Sequence, residues 1–124
     1  MNRVVVGIGS NIDPYANIER ALGELARSHR VVRRSALRVT APVGFAEQPD
    51  FVNGAVLVET FRDPAAFKAD LREIENRLGR VRTANKSGPR TIDLDIVAWN
   101  GAVVDDDYYS RDFLRSAVKE LVAL

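Results

Sequence analysis

The sequence contains no cysteine, which excludes disulfide bridges, thiolate metal sites and a cysteine nucleophile. A single histidine, His29, cannot build a multi-imidazole metal centre, and at a helix end among arginines it reads as a surface residue. Net charge is almost absent as well. Eighteen basic against seventeen acidic residues leave +1, so no global field gathers nucleic acid or an anionic membrane, and any anion site must be local. Long apolar runs are missing too: Val4, Val5 and Val6 follow Met-Asn-Arg directly, in a stretch too short for a signal-peptide core or a membrane span. A cytoplasmic protein is expected. What is present is a 46% hydrophobic content over 124 residues, enough for one core and too few residues for two ordinary domains, so 1–124 is read as a single domain.

Residues 3–9 are β-rich and end at Gly9-Ser10-Asn11, where Asp13 and Pro14 offer an N-cap and a first helical position. Tyr15, Ile18, Leu22 and Leu25 then recur at helical spacing to about Ser28. Alternation predicts a strand from Arg30 to Val39, a loop over 40–50 and a second strand over Phe51–Glu59. Asp63-Pro64 opens another helix, with Phe67, Leu71, Ile74 and Leu78 as its apolar stripe and Gly79 as its stop. Residues 79–91 read as a polar loop and Ile92–Trp99 as a strand. Asn100-Gly101 is a hairpin turn into Ala102–Val104, and an amphipathic helix follows over about Arg111–Ala123. The order β-α-β-β-α-β, plus a short hairpin strand and a C-terminal helix, suits an α+β, ferredoxin-like antiparallel sheet with two helices on one face.

Chemistry concentrates between Gly79 and Ile96. Side chains alternate along a strand, so Asp93 and Asp95 share one face while Ile92, Leu94 and Ile96 share the other. Two carboxylates that close repel and favour a neutralising cation, and oxygen ligands beside phosphates suit magnesium better than zinc. The preceding loop carries Arg80, Arg82, Lys86 and Arg90 and no acidic residue. Such cations fit a polyphosphate whose charge is shared with a metal. From the residues alone, a solvated basic loop beside the wet side of a sheet stays an equal alternative. Gly9-Ser10-Asn11 invites a phosphate-loop reading but lacks the lysine and glycine spacing of a P-loop.

The run Gly88-Pro89-Arg90-Thr91-Ile92-Asp93-Leu94-Asp95 resembles the signature of the hydroxymethyldihydropterin pyrophosphokinase family. Further matches follow in the family's order: Gly7-Ile8-Gly9-Ser10-Asn11, then Gln48-Pro49-Asp50-Phe51-Val52-Asn53, then Glu75 with Gly79-Arg80-Val81-Arg82. The resemblance runs to about Gly101. It implies a magnesium-dependent pyrophosphokinase of folate biosynthesis, in which the hydroxymethyl oxygen of a dihydropterin attacks the β-phosphorus of ATP and AMP leaves. Asp93 and Asp95 take the positions that hold two Mg2+ ions with ATP, and Arg80 and Arg82 the catalytic-loop positions. On the ATP side the resemblance places Glu75, Lys86, Arg90, Ile96 and Arg111. On the pterin side it places Thr40, Val43, Phe51, Asn53 and Phe113, with the asparagine reading the ring's polar edge and the aromatics sandwiching it. ATP and a dihydropterin are the implied partners; no nucleic acid, membrane or obligate protein partner is expected.

Beyond Gly101 the chain departs from the family pattern. A usual histidine-tyrosine pair is replaced in the stretch Asp105-Asp106-Asp107-Tyr108-Tyr109, although Arg111 and Phe113 keep the family's spacing. Ser87 stands for a tryptophan, Lys86 for an arginine and Ala41 for a proline. These losses touch nucleotide recognition and loop closure more than metal binding. The runner-up reading is therefore a weak or silent paralogue that binds a pterin or nucleotide. An RNA-binding domain using the basic loop and the Arg30–Arg38 strand ranks below both, because paired exposed aromatics for base stacking are lacking.

Overall fold

Three consecutive valines suit a strand covered on both faces, and they lie on the central strand of the sheet. The computed structural model describes residues 1–42, 44, 47–80 and 89–124. Its elements run β1 (Asn2–Ser10), α1 (Pro14–Ser28), β2 (Arg30–Arg34), β3 (Arg38–Thr40), β4 (Phe51–Thr60), α2 (Pro64–Arg77), β5 (Asp93–Trp99), β6 (Ala102–Val103), α3 (Asp107–Ser110) and α4 (Asp112–Lys119). The sheet order is β2-β4-β1-β5-β6, with β3 also on β4 and every pairing antiparallel. This is the expected ferredoxin-like α+β arrangement, except that helices cover both faces instead of one.

Each face has its own core. Val4, Val6, Ile8 and Leu94 pack against Ile18, Leu22 and Leu25 of α1 and Phe67, Leu71 and Ile74 of α2. On the reverse face Val5, Leu57, Val97 and Ala98 meet Leu114, Ala117 and Val118 of α4. Each fully buried aliphatic side chain contributes about 2 kcal/mol of transfer free energy. A register shift between Val5 and Val6 sets Val5 opposite Ala98 and Val6 opposite Ile96, so Val97 is the extra residue of a bulge. It turns both Val97 and Ala98 toward α4. That helix is only 8 residues long: Leu114 at its start reaches Gly7, and beyond it Gly9, Asn53, Asp93 and Asp95 border a hollow that Phe113 also lines.

Several sequence expectations change. Asp13 adopts φ 41°, in the left-handed region, and makes no side-chain cap; Asn17 Nδ2 instead donates to the Ile12 carbonyl at 2.5 Å. Tyr15 is exposed rather than part of the α1 stripe. Asp63 does cap α2, accepting from the Ala66 N–H at 2.8 Å. The single strand expected over Arg30–Val39 is broken at Ser35–Leu37. Ser35 there exchanges bonds with Ala55, its N–H donating and its Oγ accepting, both at 2.9 Å. Leu37 fills space left by Gly54, where a Cβ would stand 2.8 Å from Leu37 Cδ2. A short α3 precedes the terminal helix, which begins at Asp112. Asn100 and Gly101 make the hairpin turn with φ 49° and 85°. No helix among the described residues is long and apolar enough to cross a membrane.

His29 is the largest departure. Its side chain is 2% exposed, because the end of α1, the end of β4 and α2 converge on it. Nδ1 lies 2.9 Å from Thr60 Oγ1, Nε2 lies 3.3 Å from Asp70 Oδ2, and Phe67 packs edge-on at 4.9 Å. Burial pushes the imidazole below its usual 6.5, against the pull of Asp70. The unfolded chain therefore binds this proton more readily than the folded one. The stabilisation is complete above pH 6.5 and is lost as pH falls through the lower folded value. We expect urea denaturation to show the stability difference between wild type and His29→Gln changing as the pH falls below 6.5, with the wild type losing ground relative to the variant; a pH-independent difference would assign the titration elsewhere.

Candidate active site

β6 pairs only with Ala98 and Trp99, so among the described residues the outward backbone of Leu94 on β5 has no strand partner. Helix α2 supplies the missing bonds through two side chains one turn apart. Glu75 Oε2 accepts from the Leu94 N–H at 2.8 Å, and Arg72 Nη1 donates to the Leu94 carbonyl at 3.0 Å. Glu75 has no exposed surface, and its two oxygens also accept from Arg72 Nη1 and Arg80 Nη1, each at 2.6 Å. A carboxylate so enclosed is tolerable only with such donors around it. Arg80 reaches it because α2 ends in a Schellman motif. Gly79 takes φ 86°, its N–H bonds to the Asn76 carbonyl and the Arg80 N–H to the Glu75 carbonyl, folding Arg80 back over the helix end.

The paired aspartates stand beyond these arginines. Asp93 Oδ1 accepts from Arg80 at 3.0 Å and Oδ2 from Arg90 at 2.9 Å, while Asp95 Oδ1 lies 3.4 Å from Arg72 Nη2. Each Glu75 oxygen thus holds an arginine that reaches one aspartate. Partial burial, reinforced by the charge of Asp93, pushes the Asp95 carboxyl up to about 6 even though Arg72 opposes it. Across the sheet, Gly7 faces Asp95 and Gly9 faces Asp93. Neither glycine puts a side chain over them.

Two hollows meet at this pair. Thr40, Phe51, Asn53, Arg90, Arg111 and Phe113 join Asp93 around a cavity of about 140 Å³. Asn53 Nδ2 donates to Thr40 Oγ1 at 2.5 Å, and its Oδ1 occupies the space over Gly9, 2.5 Å from where a Cβ would be. On the other side, Leu71, Arg72, Ile96, Trp99 and Val104 line a more apolar groove of about 850 Å³ that ends at Asp95.

The family model described as 7,8-dihydro-6-hydroxymethylpterin-pyrophosphokinase matches residues 5–123. The chain belongs to this family. It is 42% identical to a 2-amino-4-hydroxy-6-hydroxymethyldihydropteridine pyrophosphokinase of Methylorubrum extorquens, over 86% of this chain and 69% of the relative. The Pseudomonas aeruginosa protein of the same name is 39% identical, over 85% of this chain and 66% of the relative. That of Bacillus subtilis is 36% identical, over 98% and 79%. The chain spans about two thirds of the length of the first two.

Against the pyrophosphokinase family pattern, the fold brings Thr40, Phe51, Asn53, Arg90, Asp93, Arg111 and Phe113 around one cavity, and Asp95 and Ile96 along the groove. Glu75 lies behind them, enclosed, with Arg80 on its carboxylate. Arg111, assigned by resemblance to ATP, lines the cavity with Phe113 and sits 3.5 Å from Asp107 Oδ2. Arg82, Lys86 and Val43 fall outside the described residues. Arg72 went unread in the sequence, and Asn11 was met there only as part of a family match. Arg72 looks like any helix arginine until α2 is seen to pack along β5. Asn11 joins three segments: its Nδ2 donates to Gln48 Oε1 at 2.8 Å and to the Pro49 carbonyl at 3.1 Å, and its Oδ1 accepts from the Arg90 N–H at 2.8 Å.

The two acidic roles separate by stability. Asp95 costs the free protein stability above about pH 6, a cost that disappears as the pH falls through that value. Asp95→Asn should raise the unfolding free energy at pH 8 by about 1 kcal/mol, a figure discounted for the carboxylate's exposure. Glu75→Gln should lower it by about 3 kcal/mol, since it leaves buried donors short of an anion. Chemical denaturation of both variants checks this; a destabilised Asp95→Asn or a neutral Glu75→Gln would contradict it.

Proposed function

We propose that the protein transfers pyrophosphate from ATP to the hydroxymethyl group of 6-hydroxymethyl-7,8-dihydropterin in folate synthesis, releasing AMP in the cytoplasm. The observation that carries this is the meeting of two hollows of different chemistry at Asp93 and Asp95, beside Arg72, Arg80 and Arg90. The Asn53–Phe51–Phe113 cavity suits a flat, polar-edged ring, with the amide facing the edge and the aromatics the faces. The Ile96–Trp99 groove suits a nucleoside. A triphosphate running between them passes the aspartates and arginines, with its β-phosphorus beside the pterin alcohol.

The donor set fits magnesium. Asp93 and Asp95 offer hard oxygens on one face, and among the described residues no third histidine, cysteine or carboxylate joins them to form a closed cage. Asp93 and Asp95 would hold an ion without enclosing it, which suits magnesium. When bound, magnesium supplies charge neutralisation to the triphosphate. The chain's own residues do the rest. Arg80 and Arg90 move charge-assisted bonds from Asp93 to phosphate oxygens, Glu75 keeps Arg80 within reach, and Asn11 steadies the backbone at Arg90. The alcohol oxygen bonds to the β-phosphorus, the bond from that phosphorus to the bridging oxygen of AMP breaks, and the hydroxyl proton is released. Catalysis here is positioning and charge stabilisation.

Chromatographic detection of AMP and the pterin pyrophosphate, in the presence of ATP and magnesium, tests the reading. We expect magnesium-dependent turnover that falls about 1,000-fold or more in Asp95→Asn; no turnover at high enzyme concentration would leave the silent paralogue. A Cβ at position 9 must displace Asn53 Oδ1, so Gly9→Ala should raise the KM for the pterin about 10-fold and leave that for ATP near wild type. Equal effects on both substrates would contradict the assignment of Asn53 to the pterin.

A further inference from the structure

We propose that Arg72 couples metal binding to nucleotide binding: its guanidinium stands in for a cation on Asp95 in the free protein and turns to the nucleotide phosphates when a divalent ion takes its place. The inference deepens the pyrophosphokinase reading and rests on it for the identity of the nucleotide. One edge of the fork is fixed, Nη1 donating to Glu75 Oε1 at 2.6 Å and to the Leu94 carbonyl at 3.0 Å. The other edge is held loosely, Nη2 reaching Asp95 Oδ1 only at 3.4 Å. Arg80 and Arg90 grip Asp93 more closely, at 3.0 and 2.9 Å. Asp95 is also the more open partner, with 46% of its side chain exposed against 22% for Asp93. Exchange therefore begins at Arg72, whose side chain is one-third exposed and lines the Ile96–Trp99 groove.

Charge makes the exchange conditional. Among the described residues, the ion pairs of this cluster set Arg72, Arg80 and Arg90 against Glu75, Asp93 and Asp95, three charges against three. A divalent ion arriving alone meets Arg72 and leaves the cluster positive, whereas an ion arriving with a polyphosphate gives the displaced edge of Arg72 an anion to bind. Anchored at Nη1, the guanidinium makes this change without leaving Glu75. Metal and nucleotide thereby raise each other's affinity, as linkage requires.

Removing the charge separates the two halves of the proposal. In Arg72→Gln, Mn2+ binding to the nucleotide-free protein, followed by electron paramagnetic resonance, should tighten about 5-fold, because a competing cation is gone. Binding of a non-hydrolysable ATP analogue with magnesium, read by the fluorescence of the sole tryptophan, Trp99, should weaken about 10-fold. General structural damage would weaken both. Because Gln leaves Glu75 short of a partner, Arg72→Lys serves as the variant that keeps the charge without the fork, and it should shift both affinities in the same directions by smaller factors. If either affinity stays within twofold of wild type in folded Arg72→Gln, or the wild type binds no analogue, the proposal is overturned. Wild-type AMP release measured in parallel keeps the two readings apart. Both shifts without turnover sink the pyrophosphokinase reading and sustain Arg72, and turnover without the shifts does the reverse.

Discussion

A single buried carboxylate organises the catalytic side of this molecule. Glu75 is enclosed by the core of α2, and from there it closes the open backbone edge of β5 at Leu94 and holds Arg72 and Arg80. The bonds are mutually dependent. Without the arginines the carboxylate would be an unpaired interior charge; without the carboxylate the arginines would lose the anchor that aims them at the aspartates. Packing of Phe67, Leu71 and Ile74 against the sheet sets the depth of Glu75, so the hydrophobic core fixes the position of the charges.

The pterin side is governed by missing side chains. Gly9 faces Asp93 and leaves room for Asn53, while Gly7 faces Asp95 with Val97 and Leu114 of α4 against it. The bulge at Val97 keeps the other end of the same face apolar by turning Val97 and Ala98 together toward Leu114 and Val118. One sheet face therefore carries both a packed core and an open polar cavity, and a register irregularity marks the border between them.

Strand alternation was enough to put Asp93 and Asp95 on one face, and capping and turn chemistry were enough to place α2 and the Asn100-Gly101 hairpin. Family resemblance, not periodicity, singled out Asn53 and Phe113. What stayed illegible depended on tertiary neighbours. Arg72 becomes a site residue only because β6 is too short to cover Leu94, and His29 becomes buried only because the ends of α1 and β4 meet the side of α2 around it. Asp13 had the right residue type for a cap, but in the turn after β1 it sits at φ 41° and its side chain makes no cap bond. The strand break at Ser35 follows from Gly54 on the partner strand, which no local pattern in 30–39 reveals.

The divergent segment after Gly101 is consistent with the same logic. Where a histidine and tyrosine are usual, this chain has Asp105 to Asp107, and Asp107 lies 3.5 Å from Arg111 in the cavity that also holds Phe113. An acidic residue there offers Arg111 a partner when no ligand is present, just as Asp95 does for Arg72 and Asp93 for Arg90. Carboxylates thus hold Arg72, Arg80, Arg90 and Arg111 beside the hollows, so little conformational entropy is spent when phosphate replaces carboxylate. The cost falls on the carboxylates, and the raised Asp95 is where it shows. A fold stabilised by two separate apolar cores can carry that strain at the one edge where its chemistry is assembled.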